Sequence, residues 1–133
     1  MVKTVSKNND SAVSGLLSGF EIVASDSVPH ITLDKQRRFY LNSSARRLLD
    51  AEPYKRLAVA YNPAEKALAL INPASGIDIF DVSASNYNID KRYYMSARHF
   101  SDKYGYAPED APHIFDYDRG SSDGSVFIFR LRQ

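Results

Sequence analysis

The chain has 133 residues, 44% of them apolar and 25% charged, with a formal net charge of +1. Those are the proportions of an ordinary globular domain, long enough to bury roughly two-thirds of its unfolded surface in one core. With no cysteine, a disulfide framework, a cysteine nucleophile and a thiolate zinc site are excluded, and no apolar run approaches the ~20 residues of a membrane-spanning helix.

The N-terminus, MVKTVSKNNDSAVSGLLSGF, has no continuous apolar region of signal-peptide length, so a cytoplasmic location is expected. Residues 1–12 are polar and predict a mobile tail. Ser11 to Phe20 offers a weak helix around Leu16, Leu17 and Phe20, opposed by Gly15 and Gly19. Phe20 to Val23 is a short strand candidate, broken by Ser25 to Pro29. Residues 1–26 are thus expected to form a flexible segment ahead of one compact domain.

From Ile31 the pattern has a period of two, with Ile31, Leu33, Lys35, Arg37, Phe39 and Leu41 on one face. Asp34 to Arg37 is too polar to bury, which predicts a turn between two strands. Asn42 and Ser43 are natural N-caps for a helix over 44–50. Ala45, Leu48 and Leu49 would form its apolar stripe, with Arg46 and Arg47 pointing outward, and Pro53 would stop it. Residues 55–61 and 67–71 predict a hairpin across Asn62 to Lys66. A further strand is expected over 77–82, then a linker over 83–86.

A shorter echo follows. Ile89-Asp90-Lys91 repeats Leu33-Asp34-Lys35, and Arg92-Tyr93-Tyr94-Met95-Ser96 repeats Arg38-Phe39-Tyr40-Leu41-Asn42, as if two turn residues were missing. Ala97-Arg98-His99-Phe100 repeats Ala45-Arg46-Arg47-Leu48 and opens a helix reaching about Tyr104, with Gly105 as its stop. A loop over 107–112 leads to a closing hairpin of strands 114–117 and 126–131. The expected fold is therefore α+β: two tandem β-α-β-β units, 27–82 and 83–133, joined in a small β-barrel with short helices.

Charge is spread unevenly over these units. Residues 31–56 hold Lys35, Arg37, Arg38, Arg46, Arg47, Lys55 and Arg56 against Asp34, Asp50 and Glu52, a local balance of +4. Residues 57–90 hold Lys66 against Glu65, Asp78, Asp81 and Asp90, a balance of −3. A basic face is thus available on a chain that is not basic overall.

The stretch ITLDKQRRFYLNSSARRLLDAEPYKRLAVAYNPAEKALALI resembles the swapped-hairpin (SpoVT-AbrB) domain of AbrB, MazE and MraZ-type proteins. The shared pattern is a strand with a basic residue and an aliphatic run, a helix opening with paired basic residues, and a hairpin of alternating aliphatics. The resemblance implies two intertwined units in one barrel, paired within the chain as in MraZ or between chains in a homodimer. It also implies binding of double-stranded DNA in transcription regulation, through Arg37, Arg38, Arg46 and Arg47, with Lys91, Arg92 and Arg98 as weaker equivalents. Where family members usually carry Gly before the strand's basic residue and Pro before the helix, this chain has Arg37 and Asn42.

The residues point the same way. Lys35, Arg37, Arg38, Arg46 and Arg47 form a group suited to bidentate and salt-dependent contacts with phosphates, set against the plainer reading of a solvated face paired to Asp34 and Asp50. Phe39 and Tyr93 are expected in the core. Tyr40 and Tyr94 could equally stack on unpaired bases. Asp116 to Gly124 has the outline of a calcium loop but lacks its twelfth-position acid, so a hairpin turn is expected. His30, His99 and His113 fit no metal pattern, and no nucleophile elbow or phosphate-binding glycine loop is found. No enzyme activity, cofactor or metal is expected. The alternative to DNA binding is an antitoxin-like or phage-type module that grips a protein partner, with a purely structural subunit as a third reading.

Overall fold

The computed structural model describes residues 15–16, 18–21, 28–72 and 86–133. It is an α+β fold: an eight-stranded, nearly closed antiparallel sheet of barrel-like form carrying two short helices. In chain order these are β1 (His30–Leu33), β2 (Arg38–Leu41), α1 (Ser43–Leu49), β3 (Arg56–Asn62), β4 (Ala67–Ile71), β5 (Asn86–Asn88), β6 (Tyr94–Ser96), α2 (Arg98–Tyr104), β7 (His113–Tyr117) and β8 (Phe127–Leu131). The sheet order is β5-β3-β4-β8-β7-β1-β2-β6. The outermost strands β5 and β6 are joined by a tight turn in which the Asp90 N–H donates to Tyr94 O at 2.9 Å.

Alternation builds the core. Ile31, Leu33, Phe39, Leu41, Leu57, Leu68, Leu70, Met95, Phe115 and Phe129 all turn inward and are buried. Each large side chain among them contributes about 1.5–3 kcal/mol on leaving water. The two halves share this core, because β4 pairs with β8, β1 with β7, β3 with β5 and β2 with β6. An aromatic wall seals α2 against the barrel: Phe100 packs on Phe39 at 5.1 Å and stacks on Tyr106 at 5.3 Å between centroids. Burial and the Tyr61 hydroxyl push the Tyr106 phenol well above its ordinary pKa.

Local chemistry explains the elements. Asn42 caps α1, its side-chain oxygen accepting from the Ala45 N–H at 3.0 Å. The helix ends at Asp50, which takes a left-handed φ of 53°; α2 ends the same way at Gly105, with φ 75°. The turn after β1 is organised by Asp34, whose carboxylate accepts from the Gln36 and Arg38 N–H groups at 3.0 and 2.9 Å. Asp90 does the same for Arg92 and Tyr94 at 2.8 and 3.0 Å. Arg37 and Tyr93 hold the left-handed position in their respective turns, with φ 60° and 68°.

These turns correct the expected match between the halves. They are equally long and bonded alike, so Tyr94 stands where Arg38 stands and no turn residues are missing. An Asp-led turn needs a fixed number of residues to reach its acceptor, and that requirement overrides the likeness of side chains. The helices correct it too. Each has seven residues between equivalent ends, so Ser101 and Asp102 occupy the positions of Arg46 and Arg47.

Other boundaries moved little: the first expected helix begins and ends one residue earlier, and strands 55–61, 114–117 and 126–131 shift by a residue. Strand β5 was not expected, and Asn86 belongs to it rather than to a linker. Phe20 and Glu21 are not in a strand, and of the weak N-terminal helix residues 15–16 are helical and 18–20 are not, the rest of both segments lying outside the described residues. The tail over 1–12 and the strand over 77–82 lie outside the described residues.

Candidate nucleic-acid interface

The antiparallel pairing of β2 with β6 governs the site. Their register sets Arg38 opposite Ser96, Phe39 opposite Met95 and Tyr40 opposite Tyr94. Phe39 and Met95 are buried, so period-two alternation turns Arg38, Tyr40, Tyr94 and Ser96 to the outer face. Tyr40 and Tyr94 lie against each other there, with centroids 4.9 Å apart.

Two arginines close over these rings. The Arg38 guanidinium carbon sits 3.9 Å from the Tyr94 centroid while the group is ion-paired to Asp34 at 2.8 Å. That carboxylate, bonded to it, raises the guanidinium's already high pKa. Arg46 does not point outward as expected. It folds back half-buried, donating to Leu41 O at 2.8 Å and to the Tyr40 hydroxyl, with its guanidinium carbon 4.0 Å from the Tyr93 centroid. A planar cation whose donors find a carbonyl and a hydroxyl, and whose face finds a ring, has little reason to stay in water.

The remaining basic residues divide between two ends of the β2–β6 pair. At one end the 90–93 turn lies beside the start of α1, the Leu41 N–H donating to Tyr93 O at 3.2 Å. This end carries Arg46, the exposed Arg47, and the exposed Lys91 and Arg92. At the other end the 34–37 turn lies beside the start of α2, the Ala97 N–H donating to Arg37 O at 2.9 Å. This end carries the exposed Lys35 and Arg98, and Arg37, which is ion-paired to Asp102 at 2.8 Å. Lys35 and Asp34 also line a hollow of about 200 Å³ with Ala111 and Pro112.

The backbone N–H groups of Tyr94 and Arg92 hold the Asp90 carboxyl below its ordinary range. No protein-family model, no curated protein and no solved structure matches this chain.

Tyr93 was expected in the core; it is half-buried against it, and one face of its ring is Arg46's platform. Asp102 was missed as a member of the site, and nothing local in the sequence signals its bond to Arg37. A second surface feature, a groove of about 360 Å³ on β3, β4 and β8, is floored by Ala60, Ala69 and Ile128. Its cation Arg130 is tied to Glu65 and Asp118 at 2.7 and 2.6 Å, so it offers an anion less than the β2–β6 face does. Among the described residues no helix is long and apolar enough to cross a membrane.

Proposed function

We propose that the chain is a DNA-binding regulator of the AbrB-like swapped-hairpin type, holding duplex DNA on the outer face of β2 and β6. The observation that carries this is the β2–β6 pairing itself: it joins the basic segments of both halves on one face.

The swapped-hairpin reading has independent support. The element order β-β-α-β-β occurs twice, and all strand pairings but one are preserved when the two halves are exchanged. β1–β7 answers β3–β5, β3–β4 answers β7–β8, and β2–β6 and β4–β8 answer themselves, while β1–β2 is answered by β5 and β6 at the two ends of the sheet, joined through their turn. The two halves then clasp within one chain, so light scattering is expected to give a monomer. Arg37 supports it as well, holding a positive φ where family members usually carry Gly.

Duplex is favoured over single strands because the rings of Tyr40 and Tyr94 are already covered by each other and by guanidinium groups. A base would have to displace those partners before it could stack. Exposed Arg47, Lys91, Arg92, Lys35 and Arg98 remain for phosphates.

The test is fluorescence anisotropy with a generic duplex at low and moderate salt. Affinity is expected to fall roughly tenfold or more between 50 and 200 mM salt, as counterion release requires when several phosphates are neutralised. No binding at 50 mM salt would remove this reading in favour of a protein partner.

A further inference from the structure

The two halves share a backbone plan but not a charge plan, and the difference falls on the face assigned to DNA. Position for position, Arg38 of the first half is answered by Tyr94, Arg46 by the buried Ser101, and Arg47 by Asp102. The second half gains cations at Arg92, opposite Gln36, at Arg98, opposite Ser43, and at Lys103, opposite Leu48.

Because each turn packs against the helix of the other half, these differences do not average out. The end made by α1 and the 90–93 turn gathers Arg46, Arg47, Lys91 and Arg92 beside Asp90, with the exposed Asp50 and Glu52 set past the C-terminal end of α1. The Asp90 carboxylate is occupied by backbone N–H groups. The end made by α2 and the 34–37 turn sets Asp102 among Lys35, Arg37 and Arg98, and Arg37 is consumed by it. Asp102 is itself well exposed, its side chain 66% accessible, so its charge also stands toward an approaching phosphate.

We propose that the face grips DNA at one end only, through α1 and the 90–93 turn, so that the ligand is a single half-site rather than a two-fold symmetric palindrome. This rests on the DNA-binding reading above. A phosphate near the first end meets three exposed cations, and the carboxylate of that turn, Asp90, is bonded to backbone N–H groups. A phosphate at the other meets the exposed Lys35 and Arg98, with Lys103 further along α2, and finds Asp102 set among them and Arg37 held by it. The approximate two-fold symmetry of the backbone is not carried into the electrostatics, and recognition follows the charges rather than the fold.

The experiment compares two double variants of the full chain that remove equal charge from exposed positions: Arg47→Ala/Arg92→Ala and Lys35→Ala/Arg98→Ala. Thermal melts serve to check that both remain folded. In anisotropy titrations with a generic duplex, the first pair is expected to lose at least about tenfold more affinity than the second at 50 mM salt. Its log–log salt slope should also fall by about two, one for each lost phosphate contact. Equal losses, or a larger loss from the Lys35/Arg98 pair, would overturn one-ended binding while leaving DNA binding intact. Failure of the unmodified chain to bind would overturn both.

Discussion

Arg46 of the first half and Tyr93 of the second meet face to face, the guanidinium carbon 4.0 Å from the ring centroid. The contact fastens α1 to the turn between β5 and β6, and the same guanidinium bonds Leu41 O and the Tyr40 hydroxyl. Arg46→Ala is expected to lower stability by about 2–3 kcal/mol, since it removes a cation–π contact and two charged hydrogen bonds. A double-mutant cycle with Tyr93→Ala should give a coupling of about 0.5–1 kcal/mol in urea unfolding. Arg46→Lys should not restore stability, because an ammonium cannot stack and bond in the same plane. Full rescue by lysine would show that charge alone matters there.

Asp102 is expected to restrain binding rather than stability. Its ion pair with Arg37 is largely solvated, so Asp102→Ala should change stability by less than about 1 kcal/mol. Removing one negative charge and freeing Arg37 should tighten duplex binding at 50 mM salt by roughly two- to fivefold. Unchanged or weaker binding would mean that Asp102 does not face the ligand.

Ser44 is a small structural liability. Its hydroxyl is buried and has no hydrogen-bond partner among the described residues. An unmet buried hydroxyl costs about 1 kcal/mol or more, and alanine is the better helix former. Ser44→Ala should therefore raise the unfolding free energy by about 1 kcal/mol. A destabilised variant would imply a partner for the hydroxyl.

Acid should unfold the protein through a few identifiable carboxylates. Asp116 is held below its ordinary pKa by the Arg132 guanidinium, bonded at 2.7 and 2.8 Å, and Asp90 by the N–H groups of Tyr94 and Arg92. A depressed pKa means the folded state binds fewer protons than the unfolded state. The stabilisation is thus complete above the unfolded value near about 3.9 and drains away as pH falls through the folded one. The urea midpoint should be level from about pH 5 to 7 and drop by pH 3, and Asp116→Asn should blunt the drop. A midpoint unchanged at pH 3 would contradict this origin.

Much of the architecture was legible along the chain. The alternation of Leu57, Val59 and Tyr61 with Leu68 and Leu70 announced the β3–β4 hairpin, and Asn42 and Gly105 announced a helix start and a helix end. Strand β5 was not legible, because Asn-Tyr-Asn has no strand pattern and is held extended by its ladder with Arg56 to Ala58 of β3. The match between the halves was only half legible. Comparing side chains aligned arginine with arginine, whereas the hydrogen bonds of Asp34 and Asp90 align Arg38 with Tyr94.

The basic residues divide along the same line. That they crowd around β2 and α1 is written in the order of amino acids, as are turns, caps and strand alternation, because each depends on neighbours a few positions away. Which of those cations stays free for a ligand is not. Arg37 meets Asp102 and Arg46 meets Tyr93 only once the halves have paired, and a guanidinium's availability is set by whatever carboxylate or ring the folded chain brings to it.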